Sequence, residues 1–160
     1  MLFDADLGLA NVDVALGLKP QYDIQHVVSG EQSLDAVIME GTAGMRGIPA
    51  ASGVACMACF SAAEQAGLVR AFSDLDDPVD VLVVDTGAGI DDTVLTFTSA
   101  CQEVVVVVCD EPTSLTDGYA LIKVLNQQCG IKRFQILPNK VETELQGRQL
   151  FEKLCKVADR

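Results

Sequence analysis

Two apolar runs in the middle of the chain constrain its fold more than any other feature. They are "VDVLVVD" at residues 79–85 and "EVVVVVC" at residues 103–109. Neither run alternates with polar residues, which is typical of strands buried on both faces of a parallel sheet. Parallel neighbours need a crossover connection, usually a helix. The runs therefore predict a three-layer α/β fold, with a mostly parallel sheet between helices on both faces.

The rest of the chain supplies the other elements of such a fold. Further strands are predicted at residues 1–4 and 134–137, with a brief one at 45–49. Ser61 and Glu64 have the spacing of a capping box at a helix start, and Gly130 stands where a helix would end. The predicted helices cover residues 11–18, 34–39, 61–75, 91–101, 113–128 and 142–157.

Composition limits the classes of protein to consider. The 160 residues are 49% hydrophobic and carry a net charge of −12, which argues against disorder and against nonspecific binding to nucleic acid. The longest apolar run, residues 104–109, is too short to span a membrane, and the chain does not start with a signal peptide. We therefore expect a cytoplasmic, single-domain protein over residues 1–160.

Six cysteines are present, and Cys56 and Cys59 form a CxxC pair. Neither a second CxxC nor a nearby histidine accompanies that pair, since His26 is the only histidine. Structural zinc needs four such ligands. We therefore interpret the cysteines as free thiols rather than as a redox or metal site.

Polar residues follow the predicted strands where each strand ends. They are Asp4 and Asp6, then "DTGAG" from Asp85, then "DEPT" from Asp110, then "PNK" around Asn139. Ligands of parallel α/β sheets bind at the carboxyl ends of the strands. Carboxylates beside a glycine-rich turn suit Mg²⁺, which prefers oxygen ligands, and the glycine lets a backbone N–H approach a phosphate.

The motifs at these strand ends resemble those of one family. "LFDADLGLANVDVALGL" is similar to the switch I region of the MinD/ParA family of deviant P-loop ATPases, and "VDVLVVDTGAGI" resembles its Walker B and switch II regions. "VVVCDEPTSLTDGYALIKVLN", "IPAASG" and "LPNK" are most similar to the branch of flagellar number regulators called FleN or FlhG. The resemblance covers essentially the whole chain.

The resemblance implies roles for residues that match the motifs. Asp6 corresponds to the switch I aspartate that positions the attacking water, and Asp4 to a group at the strand end near the Mg²⁺ shell. Asp85 corresponds to the Walker B aspartate that holds Mg²⁺, and Gly89 to the switch II glycine beside the γ-phosphate. Asn11 corresponds to a switch I asparagine near the nucleotide and the dimer interface.

Three more residues match positions farther along the chain. Asn139 corresponds to the asparagine that reads the adenine edge. Glu111 and Asp117 match surface positions that relatives use for dimer and partner contacts.

The resemblance also implies a function. We expect an ATPase switch with ATP and Mg²⁺ as cofactors, in which ATP drives homodimerisation and hydrolysis reverses it. Expected partners are an FlhF-type GTPase, a FleQ-type transcription activator or flagellar switch proteins, without direct nucleic acid binding. Relatives reach the membrane or cell pole through a C-terminal helix, which this sequence does not contain.

The sequence departs from the family at one motif. It has no glycine-rich phosphate-binding loop of the P-loop type. We therefore expect a fragment that lacks the N-terminal P-loop strand and the C-terminal end, and that is inactive alone. In the family the P-loop strand lies between the strands that end at Asp85 and Cys109. Either these two strands pair directly with each other, or the gap stays open and the chain is unstable. The alternative hypothesis is an ATPase-dead interaction domain of the same fold.

A response-regulator receiver is a further alternative. It also places acids, a second aspartate, a hydroxyl and a lysine at strand ends, as Asp4 and Asp6, Asp85, Thr113 and Lys140 would. The roughly 80 residues between the first acids and Asp85, and the length of 160 residues, are too great for that small fold.

Overall fold

The computed structural model describes residues 1–6, 17, 20–41, 44–50 and 60–158. Contacts divide the chain into two compact units, Met1–Ala88 and Gly89–Arg160. Each unit has its own sheet and its own helices, and each is described by itself. That the whole chain forms a single domain stays a prediction.

The first unit contains a four-stranded sheet in the order β2-β3-β1-β4. Its strands are β1 Leu2–Asp4, β2 Met39–Glu40, β3 Arg46–Ile48 and β4 Val83–Asp85. The central strand β1 runs parallel to both β3 and β4, and β2 pairs antiparallel with β3. The guanidinium of Arg46 contacts the Asp77 carboxylate and donates to the Pro78 carbonyl at 2.9 Å. This anchors the segment that leads into β4.

The described helices of the first unit are α1 Ile24–Val28, α2 Leu34–Val37 and α3 Ala62–Ala71, and a 3-10 turn follows at Phe72–Asp74. The predicted capping box starts α3: the Ser61 N–H donates to Glu64 Oε2 at 2.7 Å, and the Glu64 N–H donates to Ser61 Oγ at 3.3 Å. Buried Phe3 packs against Phe72 with ring centroids 5.2 Å apart. The end of α3 thus covers the face of β1 that carries Phe3.

The second unit has a two-stranded parallel sheet of β5 Val105–Val108 and β6 Gln135–Pro138. Its helices are α4 Asp92–Ala100, α5 Pro112–Cys129 and α6 Glu144–Ala158. Helix α5 starts with Pro112 in the first turn and ends at Gly130, whose φ of 71° is the left-handed conformation predicted for a helix stop. The core lies between one face of this sheet and helices α5 and α6. It consists of Val104, Val106, Val108, Leu125, Leu150 and Leu154.

Strands β4 and β5, like β2 and β6, are edges of the described sheets. β4 pairs with β1, and β5 pairs with β6. In β5 the side chains alternate sharply: Val106 and Val108 are 3% and 0% exposed, but Val105 and Val107 are 56% and 52% exposed. One face of β5 is therefore uncovered in this chain.

Some predicted elements differ from the structure. The prediction over residues 34–39 was wrong at its end, because the helix stops at Val37 and Met39 enters a strand. Helix α5 starts at Pro112, one residue before the predicted start, and its N-cap Glu111 makes no side-chain capping bond. Helix α1 was not predicted, although Asp23 precedes apolar residues at helical spacing. The predicted helix at residues 11–18 lies, apart from Gly17, outside the described residues.

No described helix has the length and apolar composition needed to cross a membrane. Cys101, Cys109, Cys129 and Cys155 are free thiols, as predicted. Cys56 and Cys59 lie outside the described residues.

Candidate functional site

Strands β1 and β4 bring two predicted site residues side by side. In the parallel ladder Asp4 is directly opposite Asp85, and the Ala5 N–H donates to the Asp85 carbonyl at 2.7 Å. Both strands end here, so their carboxylates stand at the carboxyl edge of the first unit's sheet. Asp6 follows immediately after β1. The structure therefore gathers Asp4, Asp6 and Asp85 at one edge, as the sequence predicted.

Asp4 shapes the turn that carries Asp6. Its side chain is buried, with 2% of the residue exposed, and its Oδ1 accepts the Asp6 N–H at 3.1 Å. A buried carboxylate is costly unless it is hydrogen-bonded. Asp4 therefore fixes the backbone at the start of the loop, while Asp6 is only partly buried.

Gly87 lies against the Asp6 carboxylate. A Cβ atom built on Gly87 would be 3.3 Å from Asp6 Cγ and 3.4 Å from Oδ1. A side chain at this position would therefore press on the carboxylate, and glycine keeps the loop after β4 close to Asp6. Sequence reasoning selected Gly89 in this loop and missed the contact of Gly87.

The three carboxylates repel one another. The pKa of Asp85 is raised above the ordinary aspartate value, first by burial and then by the negative charges of Asp4 and Asp6. A divalent cation would relieve this repulsion. Among the described residues no group of three or more acidic, histidine or cysteine side chains is arranged to hold a metal ion.

Gly89 belongs to the second unit and precedes α4. Its φ of 113° lies in a region that only glycine adopts easily. Asp91 then caps α4 by accepting the Val94 N–H at 2.9 Å. The loop after β4 therefore makes its turn at Gly89, where the family motif has its glycine.

Asn139 lies at the carboxyl end of β6. Its N–H donates to the Val108 carbonyl at 2.8 Å, which fixes its backbone to β5. Its Oδ1 accepts the N–H of Lys140 at 2.9 Å, and Lys140 has a φ of 55°, the only positive value of a residue other than glycine in the described chain. The Asn139 side chain is exposed, and its bond to the Lys140 N–H sets its orientation. The structure thus places Asn139 at a strand end, which leaves its adenine-reading role a prediction.

The end of β5 has a different environment from the end of β4. The Asp110 carboxylate accepts two hydrogen bonds from Lys153 Nζ of α6, at 2.6 and 2.8 Å, so it is paired with a cation. The Cys109 N–H donates to Ser114 Oγ at 2.9 Å. Lys153 was not singled out from the sequence, because a partner that lies 43 residues away leaves no local signal.

The remaining predicted residues are separate from these contacts. Glu111 and Asp117 are exposed at the N-terminal part of α5, as surface contact residues would be. Asn11 lies outside the described residues.

Comparison with known proteins gives the context of this site. No family model matches the sequence. The chain is 55% identical over all 160 residues to the antiactivator FleN of Pseudomonas aeruginosa and covers 57% of that protein. It is 38% identical over 157 residues to the flagellum site-determining protein YlxH of Helicobacter pylori, and covers 53% of it. The chain thus spans just over half the length of these relatives.

Two solved structures show the same fold. MinD of Pyrococcus horikoshii, complexed with Mg-ADP, matches 93% of this chain and 63% of its own, with a TM-score of 0.72 and 19% identity. The MinC:MinD complex of Aquifex aeolicus matches 99% of this chain and 64% of that one, with a TM-score of 0.78 and 22% identity. The α/β fold is therefore that of the MinD/ParA ATPases. Over its whole length the chain is therefore similar in sequence to FleN and similar in fold to the MinD/ParA ATPases.

Proposed function

We propose that this chain is part of an ATP-dependent dimerisation switch that controls flagellar number and placement and flagellar gene expression. The observation that carries the proposal is the convergence of Asp4, Asp6 and Asp85 at one sheet edge in a chain 55% identical to an antiactivator named FleN. The name of YlxH, a flagellum site-determining protein, supports the same process.

The residues fit roles in ATP hydrolysis. Asp6 is partly exposed beside Gly87, so its carboxylate can accept a proton from a water molecule and orient it. Buried Asp4 fixes the Asp6 backbone and thereby acts as a positioning residue. Gly89 allows a backbone N–H to approach a terminal phosphate, and Asn139 offers its exposed amide to a base.

A magnesium ion fits the acidic edge. Asp85, with Asp4 close by, would hold it, and the negative charges of Asp4 and Asp6, which add to the effect of burial in raising the pKa of Asp85, support a cation there. When bound, Mg²⁺ neutralises charge on the phosphates of the nucleotide. MinD of Pyrococcus horikoshii is described with Mg-ADP, which supports the same pair of cofactors here.

The partners follow from the same proposal. ATP would drive association with a second copy, with exposed Glu111 and Asp117 on the surface used for dimer or partner contacts. The partners that bind the dimer would be an FlhF-type GTPase, a FleQ-type activator or flagellar switch proteins. The protein would act in the cytoplasm, at the inner face of the membrane or at the cell pole.

Genetics in the native host tests the proposal. Deletion of the gene should change the number of flagella per cell, counted by electron microscopy. A copy carrying Asp6→Ala should be produced normally and fail to restore the wild-type number, because a water-positioning group acts in the transition state. Asp80→Asn, an exposed aspartate away from the edge, is the matched control and should restore it.

The outcomes separate the two hypotheses. If both Asp6→Ala and Asp85→Ala restore the wild-type number, the chain acts as an ATPase-dead interaction domain. If deletion leaves flagellation unchanged, the flagellar proposal is wrong.

Residues 1–160 alone should bind ATP weakly. The sequence contains no glycine-rich loop whose amides would cradle phosphates, and charge-assisted bonds of that kind dominate triphosphate affinity. We expect a dissociation constant no tighter than roughly millimolar, about 4 kcal/mol of binding free energy. Calorimetry with Mg-ATP that gives micromolar affinity would contradict this expectation.

A further inference from the structure

His26 occupies an unusual position at the start of α1. Asp23 is the N-cap, and its Oδ1 accepts the Gln25 N–H at 2.9 Å. Three residues on, His26 Nδ1 accepts the Asp23 N–H at 3.2 Å and completes a capping box. The residue at this position is ordinarily Glu or Gln, which do not change their acceptor role near neutral pH. Here the acceptor is an imidazole.

The same nitrogen has a second contact that excludes the first. His26 Nδ1 lies 2.9 Å from Asp23 Oδ1, at hydrogen-bonding distance. An unprotonated Nδ1 has a lone pair and accepts the Asp23 N–H, whereas a protonated Nδ1 has no lone pair and donates to the carboxylate. Both partners belong to Asp23, so protonation of Nδ1 can replace its hydrogen bond to the Asp23 N–H by one to the Asp23 carboxylate without a large movement.

We propose that His26 is a cap of α1 that depends on protonation. The neutral imidazole closes the first turn by accepting the Asp23 N–H, and the protonated Nδ1 donates a hydrogen bond to the Asp23 carboxylate instead. Histidine is the side chain whose ordinary charge change falls between pH 5 and 8. While the ring is neutral the cap is closed. Once the ring is protonated the Asp23 N–H loses its acceptor, and a positive charge stands in the first turn, where the helix dipole disfavours it.

The effect extends beyond one hydrogen bond because His26 also anchors the other end of this five-residue helix. The His26 carbonyl accepts the Gln32 N–H at 2.9 Å and the Ser29 hydroxyl at 3.2 Å. Ile24 in the first turn is fully buried. Opening the first turn therefore loosens a helix that packs against both α2 and α3.

The ionisable groups around the ring are few in the part of the chain described. Asp23 bonds to it, and the Tyr22 ring meets it edge-on with centroids 5.3 Å apart. Asp35 of α2 accepts the Asp76 N–H, and Glu64 of α3 is bound to Ser61. The other charged residues on the packed helices or within three residues of their ends are Glu31, Glu40, Arg70 and Asp74.

Nuclear magnetic resonance of the chain at pH 5 to 8.5 tests the cap. At high pH the neutral ring should carry its proton on Nε2. The Asp23 amide shift should follow the His26 titration, and its hydrogen-exchange protection, corrected for intrinsic rate, should fall about fivefold when the ring is protonated, as for loss of one hydrogen bond. Two results would overturn the proposal: a neutral ring that carries its proton on Nδ1, or an Asp23 amide whose shift and protection do not change when His26 is titrated.

Two variants separate a switch from a merely structural residue. His26→Gln keeps an acceptor that does not titrate, so the Asp23 amide should stay capped at every pH. His26→Ala should be uncapped at every pH. If His26→Gln retains the pH dependence of the Asp23 amide, the proposal fails.

Tyrosine emission gives a second measurement at micromolar concentration. The chain has two tyrosines and no tryptophan, so a Tyr119→Phe variant isolates Tyr22. Its emission should change with the protonation of His26, and the change should vanish in the variant that also carries His26→Gln. Emission that changes equally with and without His26 would contradict the cap.

Discussion

At the scale of single residues, strand pairing keeps Asp4 and Asp85 close together although their negative charges repel. Asp4 and Asp85 face each other across two strands that pair through backbone bonds, so the repulsion between the carboxylates is imposed by the ladder. Proteins often keep such unfavourable clusters where a ligand will compensate them. Burial first, and then the negative charges of Asp4 and Asp6, raise the pKa of Asp85, so its charged form is disfavoured at this edge.

The raised pKa of Asp85 predicts that Asp85→Asn increases the free energy of unfolding by an amount that depends on pH. Because the pKa of Asp85 is raised in the folded state, its ionisation costs stability. The cost is absent below the pKa of the unfolded chain and fully present once the pH exceeds the folded-state value. Asp85→Asn should therefore increase the free energy of unfolding more at pH 7 than at pH 3.5, by less than about 1 kcal/mol because the residue is exposed.

Urea unfolding of both proteins at the two pH values measures this difference. Asp80→Asn, which removes an exposed carboxylate outside the cluster, should change stability equally at both pH values. An equal effect of Asp85→Asn at both pH values would mean that burial and the neighbouring carboxylates do not raise the pKa of Asp85 in the folded chain.

Residue identities at the edge were predictable, and their contacts were not. Asp4, Asp6 and Asp85 could be found because each follows an apolar strand in the sequence. The closeness of Gly87 to Asp6 and the pairing of Lys153 with Asp110 depend on how distant segments fold back. No pattern within a window of the sequence carries that information.

At the scale of elements, helix α5 approaches β5 unusually closely. Gly118 is buried, and a Cβ atom built on it would lie 2.9 Å from Val108 Cγ1 and 3.6 Å from Val106 Cγ1. Contacts below 3 Å are strongly repulsive, so any side chain here would push the helix off the sheet. This glycine lets α5 carry Leu125 into the core formed with β5 and α6.

Gly118→Ala should therefore destabilise the chain despite the better helix propensity of alanine. Overpacking a tight core costs about 1–3 kcal/mol. Gly67→Ala in α3 is the matched control, because its Cβ would meet no atom within 4 Å and it should stabilise by up to about 1 kcal/mol. Thermal or urea unfolding measures both.

A compensating change tests the cause. Val108→Ala removes the methyl groups that clash, so Gly118→Ala should cost less in a Val108→Ala background than alone. If the two substitutions are additive, the close approach of α5 to β5 is not what Gly118 provides.

Element types were predicted better than element ends. Apolar runs and helix stop signals predicted β1, β4, β5, β6 and the last three helices. Strand β4 nevertheless starts at Val83 rather than at residue 79, because the ladder with β1 begins where the Val83 N–H meets the Met1 carbonyl at 2.9 Å. The length of a strand is set by its partner, which its own sequence does not reveal.

At the scale of the whole molecule, the two sheets end on strands with no described neighbour on one side. Strand β5 contains four consecutive valines and no proline or charge, which are the usual devices that protect an edge. Strand β6 differs, since Pro138 lacks an N–H at its end. Residues 1–160 by themselves should therefore associate through β5.

Val107→Lys should reduce that association. Val107 points to the uncovered face of β5, where 52% of it is exposed, so a lysine there can reach water and would meet a desolvation penalty if a second chain covered it. Sedimentation velocity at micromolar concentration should show more monomer for Val107→Lys than for the parent chain. Val107→Glu should act in the same direction, which separates protection of the edge from a change in net charge.

Val106→Lys is the opposite control, because Val106 is 3% exposed in the core and a charge there should unfold the second unit. If the parent chain is monomeric and Val107→Lys leaves its sedimentation unchanged, the β5 edge is not an association surface.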